Sequence, residues 1–323
     1  MLEYFSLDDK IPKPLTECRQ GCWINLADPT PEELVKVAAE LAIPFDFLTD
    51  SLDPAERPHM RQEGEFFLVI CKAPRASNAS KDKNSPSCRP GINAGCPPFA
   101  TMPVGVIVTP QVVVTVCRDP ELGRHLVDGK RSDKHSRQGI LMALTVLQQS
   151  SMIFIDHLQE LDALTAELEE RMRRSMRNED LANMMQLEKT LVYFLTSLKG
   201  NAMVLEKIGG LQNPPLAPEE RTLLVDALIE CRQAVDMAEV YIQILSSVSE
   251  ASASMISNNM NSVMKLLTSI TLVLMLPTII VGAYGMNVAL PFQEHPLAFA
   301  LIVAFTVIVC LLLWFFLSRK RWM

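Results

Sequence analysis

Two long apolar runs toward the C-terminus constrain this chain more than any other feature. No charged residue occurs from Leu266 to Gln293, and none from Pro296 to Ser318. A hydrocarbon core of ~30 Å takes about 20 residues of helix to cross, so each run is long enough. The first run also carries a polar seam. Asn261, Met264, Thr268, Thr271, Met275, Thr278, Gly282 and Gly285 recur at alternating steps of three and four. That spacing sets them on one helix face, while Leu266, Ile270, Val273, Ile280 and Val281 point elsewhere. A single span has no use for such a seam against lipid. Several copies around an axis would line a narrow path with hydroxyls, thioethers and amides, which points to ion conduction.

The rest of the chain is of another kind. Of 323 residues 49% are hydrophobic, the formal net charge is −7, and the apolar excess sits at the C-terminus. Up to about residue 255 the sequence is polar and long enough for a soluble domain with its own core. The acidic balance argues against a nucleic-acid partner. Met1 to Asp9 has neither a basic n-region nor an apolar h-region, so it does not read as a secretory signal. The segment Val288 to His295 between the spans has no Lys or Arg, whereas Arg319, Lys320 and Arg321 follow the second span and Lys265 opens the first. The positive-inside rule then puts both termini in the cytoplasm and the short loop outside. The eight cysteines are expected to be reduced there, and neither Cys18 with Cys22 nor Cys88 with Cys96 has a second pair at zinc-site spacing.

Along the chain, Trp23-Ile24-Asn25-Leu26-Ala27 reads as a strand, and Thr30 as the cap of a helix from Pro31 to Ala42. Phe66 to Cys71 is a strand, and Val104–Val108 with Val112–Val116 form a hairpin across Thr109-Pro110-Gln111. Between them Arg75 to Pro98 is rich in Ser, Asn, Lys, Pro and Gly and reads as a mobile surface insertion. Helical periodicity follows over Ser151–Met176 and Glu179–Ile208, with Asn178 as the cap between them and Leu161, Leu164 and Leu168 along one edge. After Pro218 there is no proline or glycine until Pro277, which predicts one helix of roughly 65 to 70 residues, about 100 Å long. The alternative is two helices with a break near Ser252.

Tyr284-Gly285-Met286-Asn287, placed directly after the first of two C-terminal spans, resembles the CorA family of magnesium channels. Upstream, Asn261-x-x-Met264-Lys265-x-Leu267-Thr268 with Pro277 and Gly282 is similar too, as are Trp23-Ile24-Asn25, Leu48-x-Asp50-x-Leu52 with Arg57-Pro58, and the ending Lys320-Arg321-Trp322. The resemblance covers nearly the whole chain outside 75–98. It implies an α+β cytoplasmic domain (an N-terminal α/β sandwich plus long helices), two transmembrane helices and a homopentameric funnel in the bacterial inner membrane. The expected division is a cytoplasmic α/β domain at 1–139, cytoplasmic helices at 140–262, and a pore helix at 263–287. An external loop at 288–296, a second span at 297–318 and a basic tail at 319–323 complete it. Both termini are cytoplasmic in this scheme, and the partners are other copies of the chain, the lipid bilayer and divalent cations.

The roles carried over are a selectivity filter at Gly285, Met286 and Asn287 and a pore lined by Asn261, Met264, Leu267, Thr268, Thr271, Met275 and Thr278. Mg²⁺ gives up inner-shell water reluctantly and prefers oxygen, so rings of amide and carbonyl oxygens can hold the hydrated ion. The other reading of Gly-Met-Asn is a helix C-cap before a turn. Thr271 and Thr278 either face water in the pore or bond back to their own helix. Met264, Leu267 and Met275 would narrow the path, and an apolar constriction can gate by dewetting. Asp50 and Asp226 match the family's paired acids that bind regulatory Mg²⁺ between neighbouring subunits, with Asp53 and Glu230 as nearby alternates. In place of the family's usual external Met-Pro-Glu-Leu stands Val288-Ala289-Leu290-Pro291-Phe292-Gln293-Glu294-His295, so Glu294 at the mouth has a shifted register.

The expected function is therefore membrane-potential-driven Mg²⁺ uptake, extending to Co²⁺ or Ni²⁺, gated by cytoplasmic Mg²⁺, with no organic cofactor. A zinc transporter of the same fold, proton-coupled, is the alternative; Met286 counts against it and His295 for it. A non-conducting membrane-tethered sensor or scaffold would leave the seam without a purpose. No P-loop, G-x-S-x-G or H-E-x-x-H motif occurs, and the five histidines do not pair at ligand spacing, so an enzyme is not expected.

Overall fold

The computed structural model of the chain describes residues 1–6, 13–76, 98–125, 138–174, 177–211, 215–286 and 297–320. Its β-branched runs pair into one seven-stranded sheet. β1 (Leu2–Ser6), β2 (Lys13–Leu15), β3 (Cys22–Ala27), β4 (His59–Glu63), β5 (Phe66–Ala76), β6 (Phe99–Val108) and β7 (Val113–Cys117) stand in the order β2-β1-β3-β7-β6-β5-β4. Only β3 and β7 run parallel; the other neighbours are antiparallel. The turn of the β6–β7 hairpin is closed by Thr109, whose hydroxyl accepts from the backbone N–H of Gln111 and Val112.

Both faces of the sheet are covered, and successive strand residues go to opposite cores. Ile24, Leu26, Leu68, Ile70, Ile107, Val114 and Val116 pack with Leu34 and Val37 of α1 (Pro31–Leu41) and Phe47 and Leu48 of α2 (Phe45–Asp50). Thr30 and Glu33 form the reciprocal capping box that starts α1. A short α3 (Pro120–His125) follows β7. On the other face Trp23, Val69, Cys71, Val106 and Val113 join a core with α4 (Gln138–Arg174), α5 (Asn178–Gly209) and α6 (Pro218–Tyr284). Trp23 donates to Thr115 Oγ1 at 2.8 Å and Thr115 to Asn25 Oδ1 at 3.0 Å, so the polar members of this face satisfy one another.

α5 is fastened to β5 by a side chain that acts as a strand. β4 ends opposite Ile70, so the next outward-facing backbone groups of β5, at Lys72, have no strand partner on that side. The Asn201 amide takes both, accepting from Lys72 N at 2.9 Å and donating to Lys72 O at 2.8 Å, and Ser150 donates to the same carbonyl. This register also admits Pro103 opposite Lys72, because the N–H that proline lacks would point beyond the end of β7.

The chain divides into two compact units, Met1–Val248 and Ser249–Met323. α6 is one uninterrupted helix of 67 residues, which excludes a break near Ser252. In the first unit it buries Leu224, Ala227, Cys231, Ala234, Ala238 and Leu245. The second unit pairs the rest of α6 with α7 (Ala298–Arg319). Pro277 has no N–H for the carbonyl of Val273, and the Cys310 thiol of α7 lies 3.9 Å from that oxygen. Among the described residues three helices are apolar and long enough to cross a membrane. In α4, however, 61% of the apolar window is buried inside the first unit, against 6% in both α6 and α7. α4 is a core helix.

Several local expectations are corrected. α4 begins at Gln138 rather than Ser151, because its first turns are buried on nearly all sides and show no amphipathic period. The cap before α5 is Arg177, without a side-chain bond, and Asn178 opens the helix. β5 runs on to Ala76, so Arg75 and Ala76 belong to a strand; the remainder of the expected insertion, 77–97, lies outside the described residues. Replacing Asn201 by Ala would strand the buried N–H of Lys72, at about 1–3 kcal/mol, and leave its carbonyl to Ser150 alone. We expect Asn201→Ala to lower the first unit's unfolding free energy by roughly 2 kcal/mol or more, measured by denaturant titration followed by circular dichroism.

Candidate functional site

The seam of α6 is open along its described length. Asn261, Met264, Leu267, Thr268, Thr271, Met275, Thr278, Gly282 and Gly285 are all exposed within the chain. The residues of α6 that are covered form a different row: Ser269 is fully buried, and Val273, Leu276, Pro277 and Ile280 are partly so. At 100° per residue the centre of this covered row stands about 170° around the helix from the centre of the seam. α7 therefore lies against the back of α6 and leaves the polar side bare. Thr271 donates to Leu267 O at 2.8 Å and Thr278 to Leu274 O at 3.0 Å, so each hydroxyl proton is turned onto its own helix.

Past Tyr284 the backbone stays coiled for one further step. Gly285 donates to Val281 O at 2.9 Å and Met286 to Ala283 O at 3.4 Å. Positive φ occurs at Gly21 and Gly64 among the described glycines, and not at Gly285. The left-handed cap that would otherwise account for a glycine here is absent. A Cβ at Gly285 would meet the carbonyl oxygen of Val281 at 3.3 Å, a tight approach. Asn287 and Glu294 lie outside the described residues.

The two acids singled out for regulation are in the first unit. Asp50 is the last residue of α2 and half-buried; Asp226 is exposed on α6. No hydrogen bond or ion pair joins them within the chain, and among the described residues no three His, Cys, Asp or Glu side chains converge on a metal-sized site. Partial burial, then the carboxylates of Glu56 and Asp46, push the Asp50 pKa up, opposed by His59 and Arg61. A carboxylate under that strain from like charges is one that a divalent cation relieves. Of the alternates, Asp53 accepts from Ala55 N at 2.9 Å and so caps its own turn, while Glu230 is half-buried on α6.

Lys72 escaped the sequence reading. It sits in β5, 7% exposed, on the wall of a cavity of about 380 Å³. The available signal was a charged residue directly after the apolar run that ends at Cys71.

A family model described as "CorA-like Mg2+ transporter protein" matches residues 19–321. The cobalt/magnesium transport protein CorA of Methanocaldococcus jannaschii is 27% identical over 306 residues, covering 93% of this chain and 90% of that protein. Its namesake from Thermotoga maritima is 21% identical over 99% of this chain and 89% of its own length. The complete structure of the CorA magnesium transporter from M. jannaschii superposes with a TM-score of 0.81 at 25% identity, covering 100% of this chain and 99% of the other. The mixed sheet with its long helices and the apolar C-terminal pair are thus the architecture of that transporter, and with the family match spanning all but the ends, the chain belongs to the CorA-like Mg²⁺ transporter family.

Proposed function

We propose that the chain forms a homopentameric channel for Mg²⁺, also passing Co²⁺ or Ni²⁺, driven inward by membrane potential and closed by cytoplasmic Mg²⁺ held between subunits. The observation that carries this reading is the two-sidedness of α6: α7 covers one face, and the opposite face keeps its hydroxyls, thioethers and Asn261 open. Copies arranged about an axis would turn those faces inward, with α7 outermost. Val225, Ile229, Val240 and Ile244 are 43–58% exposed along α6 in the first unit, an apolar row that favours assembly. Both termini are cytoplasmic in this scheme, in a bacterial inner membrane, with the basic residues Arg319, Lys320 and Arg321 on the inner side.

Neither apolar run holds a fixed charge, so the ion would pass hydrated, its waters held by oxygen rings. Gly285, Met286 and Asn287 form the filter, with Glu294 concentrating cations outside; Met264, Leu267 and Met275 supply the constriction that dewets on closure. A potential of 100 mV supplies ~2.3 kcal/mol per charge, about 4.6 kcal/mol for a divalent ion, so no coupled ion is required. For regulation, Asp50 of one subunit and Asp226 of its neighbour share a Mg²⁺. Both offer oxygen ligands, and the like-charged surroundings of Asp50 fit a site where a cation restores balance.

Flux into proteoliposomes under an inside-negative potential tests the channel. We expect Mg²⁺ uptake by the parent protein and none with Asn287→Ala. Zn²⁺ uptake following a pH gradient, with Mg²⁺ silent, would assign the protein to zinc transport instead, and no flux of either ion would sink conduction altogether.

Regulation is tested separately, by raising Mg²⁺ on the cytoplasmic side. Asp50→Asn and Asp226→Asn should each weaken inhibition about tenfold. Protons compete with Mg²⁺ for Asp50, and its pKa is raised above 3.8. Inhibition by Mg²⁺ should therefore begin to fail, as internal pH falls, at a higher pH than an ordinary aspartate would give, and Asp50→Asn should flatten that dependence. Unchanged inhibition in both variants would remove the regulatory assignment while leaving conduction intact.

A further inference from the structure

The cavity beside Lys72 lies wholly in the first unit, between the loop that follows α2, the start of β6 and one edge of α5. Lys72 Nζ donates to the carbonyl of Pro54 at 2.6 Å. Among the described residues no carboxylate is within ion-pair distance of it. With one neutral hydrogen-bond partner, the ammonium of this largely covered side chain keeps two hydrogens for the cavity. Burial, the larger influence, lowers its pKa, and the more distant Asp53 and Glu56 only partly oppose this.

The remaining wall suits an anion with an organic body. Arg57 lines the same space, and its exposed guanidinium has no ion-pair partner among the described residues. Ser197 adds a hydroxyl, while Pro58, Phe99 and Tyr193 supply flat and apolar surface. Among the described residues Glu56 is the only acid in the wall, and its carboxylate is engaged: Oε1 accepts from Arg57 N at 3.2 Å and stands 3.4 Å from His59 Nδ1. The space, about 380 Å³, is large enough for a small metabolite rather than an inorganic ion alone.

We propose that this cavity binds a small organic anion, its phosphate or carboxylate held by Lys72 and Arg57 and its apolar body set against Pro58, Phe99 and Tyr193. Such a site uses none of the residues assigned to the ion pathway, and neither Asp50 nor Asp226 is in its wall.

The test is isothermal titration of the detergent-solubilised full-length protein, in EDTA, with ADP as a phosphate-bearing probe and citrate as a carboxylate one. One site per chain is expected for at least one probe, and the probe that binds identifies the head group. Lys72→Met and Arg57→Ala should each weaken binding about tenfold or more. Arg57 is exposed, so its variant reports on binding even if loss of Lys72 disturbs folding. Failure of both probes to bind the parent protein, or binding that Arg57→Ala leaves unchanged, would overturn the proposal and return Lys72 to a staple for the Pro54 loop.

Discussion

A peptide group in hydrocarbon finds no water to bond, and the C-terminal part of this chain is what that constraint allows. α6 and α7 close their backbone bonds within themselves, except where Pro277 removes a rung. The carbonyl left open at Val273 is on the face that α7 covers, and the Cys310 thiol approaches it there. Proline, thiol and covered face belong together: half a turn away, the same carbonyl would have opened onto the polar seam. Between helices in lipid there is no hydrophobic effect to choose a contact face, so close approach at a small residue does it. Ser269, fully buried, is that residue here.

The first unit solves the opposite problem, polar groups among apolar ones. A sheet covered on both faces has no water for its ends, so side chains stand in. Asn201 extends the β4 edge beyond His59, where that strand begins, and Trp23, Thr115, Asn25 and Glu3 form a hydrogen-bonded chain across neighbouring strands. The thiols buried with them are inert: burial pushes Cys71 and Cys117 up to about 12. Cys18 and Cys22 stand 3.5 Å apart as free thiols, with the Cys18 pKa raised to about 11, chiefly by burial. Cys88 and Cys96 lie outside the described residues.

What the sequence discloses depends on whether the deciding interaction is local. Thr30 and Glu33 announce α1 because a capping box is built within four residues, and the β6–β7 hairpin is legible because Thr109 closes its own turn. The single helix from Pro218 is legible because nothing in its sequence breaks it. By contrast β5 continues through Lys72, Pro74 and Arg75, poor strand residues, because Asn201 lies 129 positions away and β6 pairs along the full length. The beginning of α4 is hidden for a related reason, since a helix enclosed on all sides has no period to read. At the candidate site the seam was visible as spacing alone. Which face α7 would take was not, because α7 is apolar all round and its own sequence prefers no side.

The threonines of the seam carry one more consequence. Each hydroxyl has a single proton, and in Thr271 and Thr278 that proton is given to a carbonyl one turn back. What remains pointing outward is oxygen lone pairs, which accept and do not donate. In the proposed pore, water beside them would present its hydrogens to the wall and its oxygen to the passing ion. A hydrated cation already orients its shell in that sense, oxygens inward and hydrogens outward, whereas the shell of an anion would have to be reversed. In the pore proposed above, such a wall would favour cations over anions although no charged residue stands between Leu266 and Gln293.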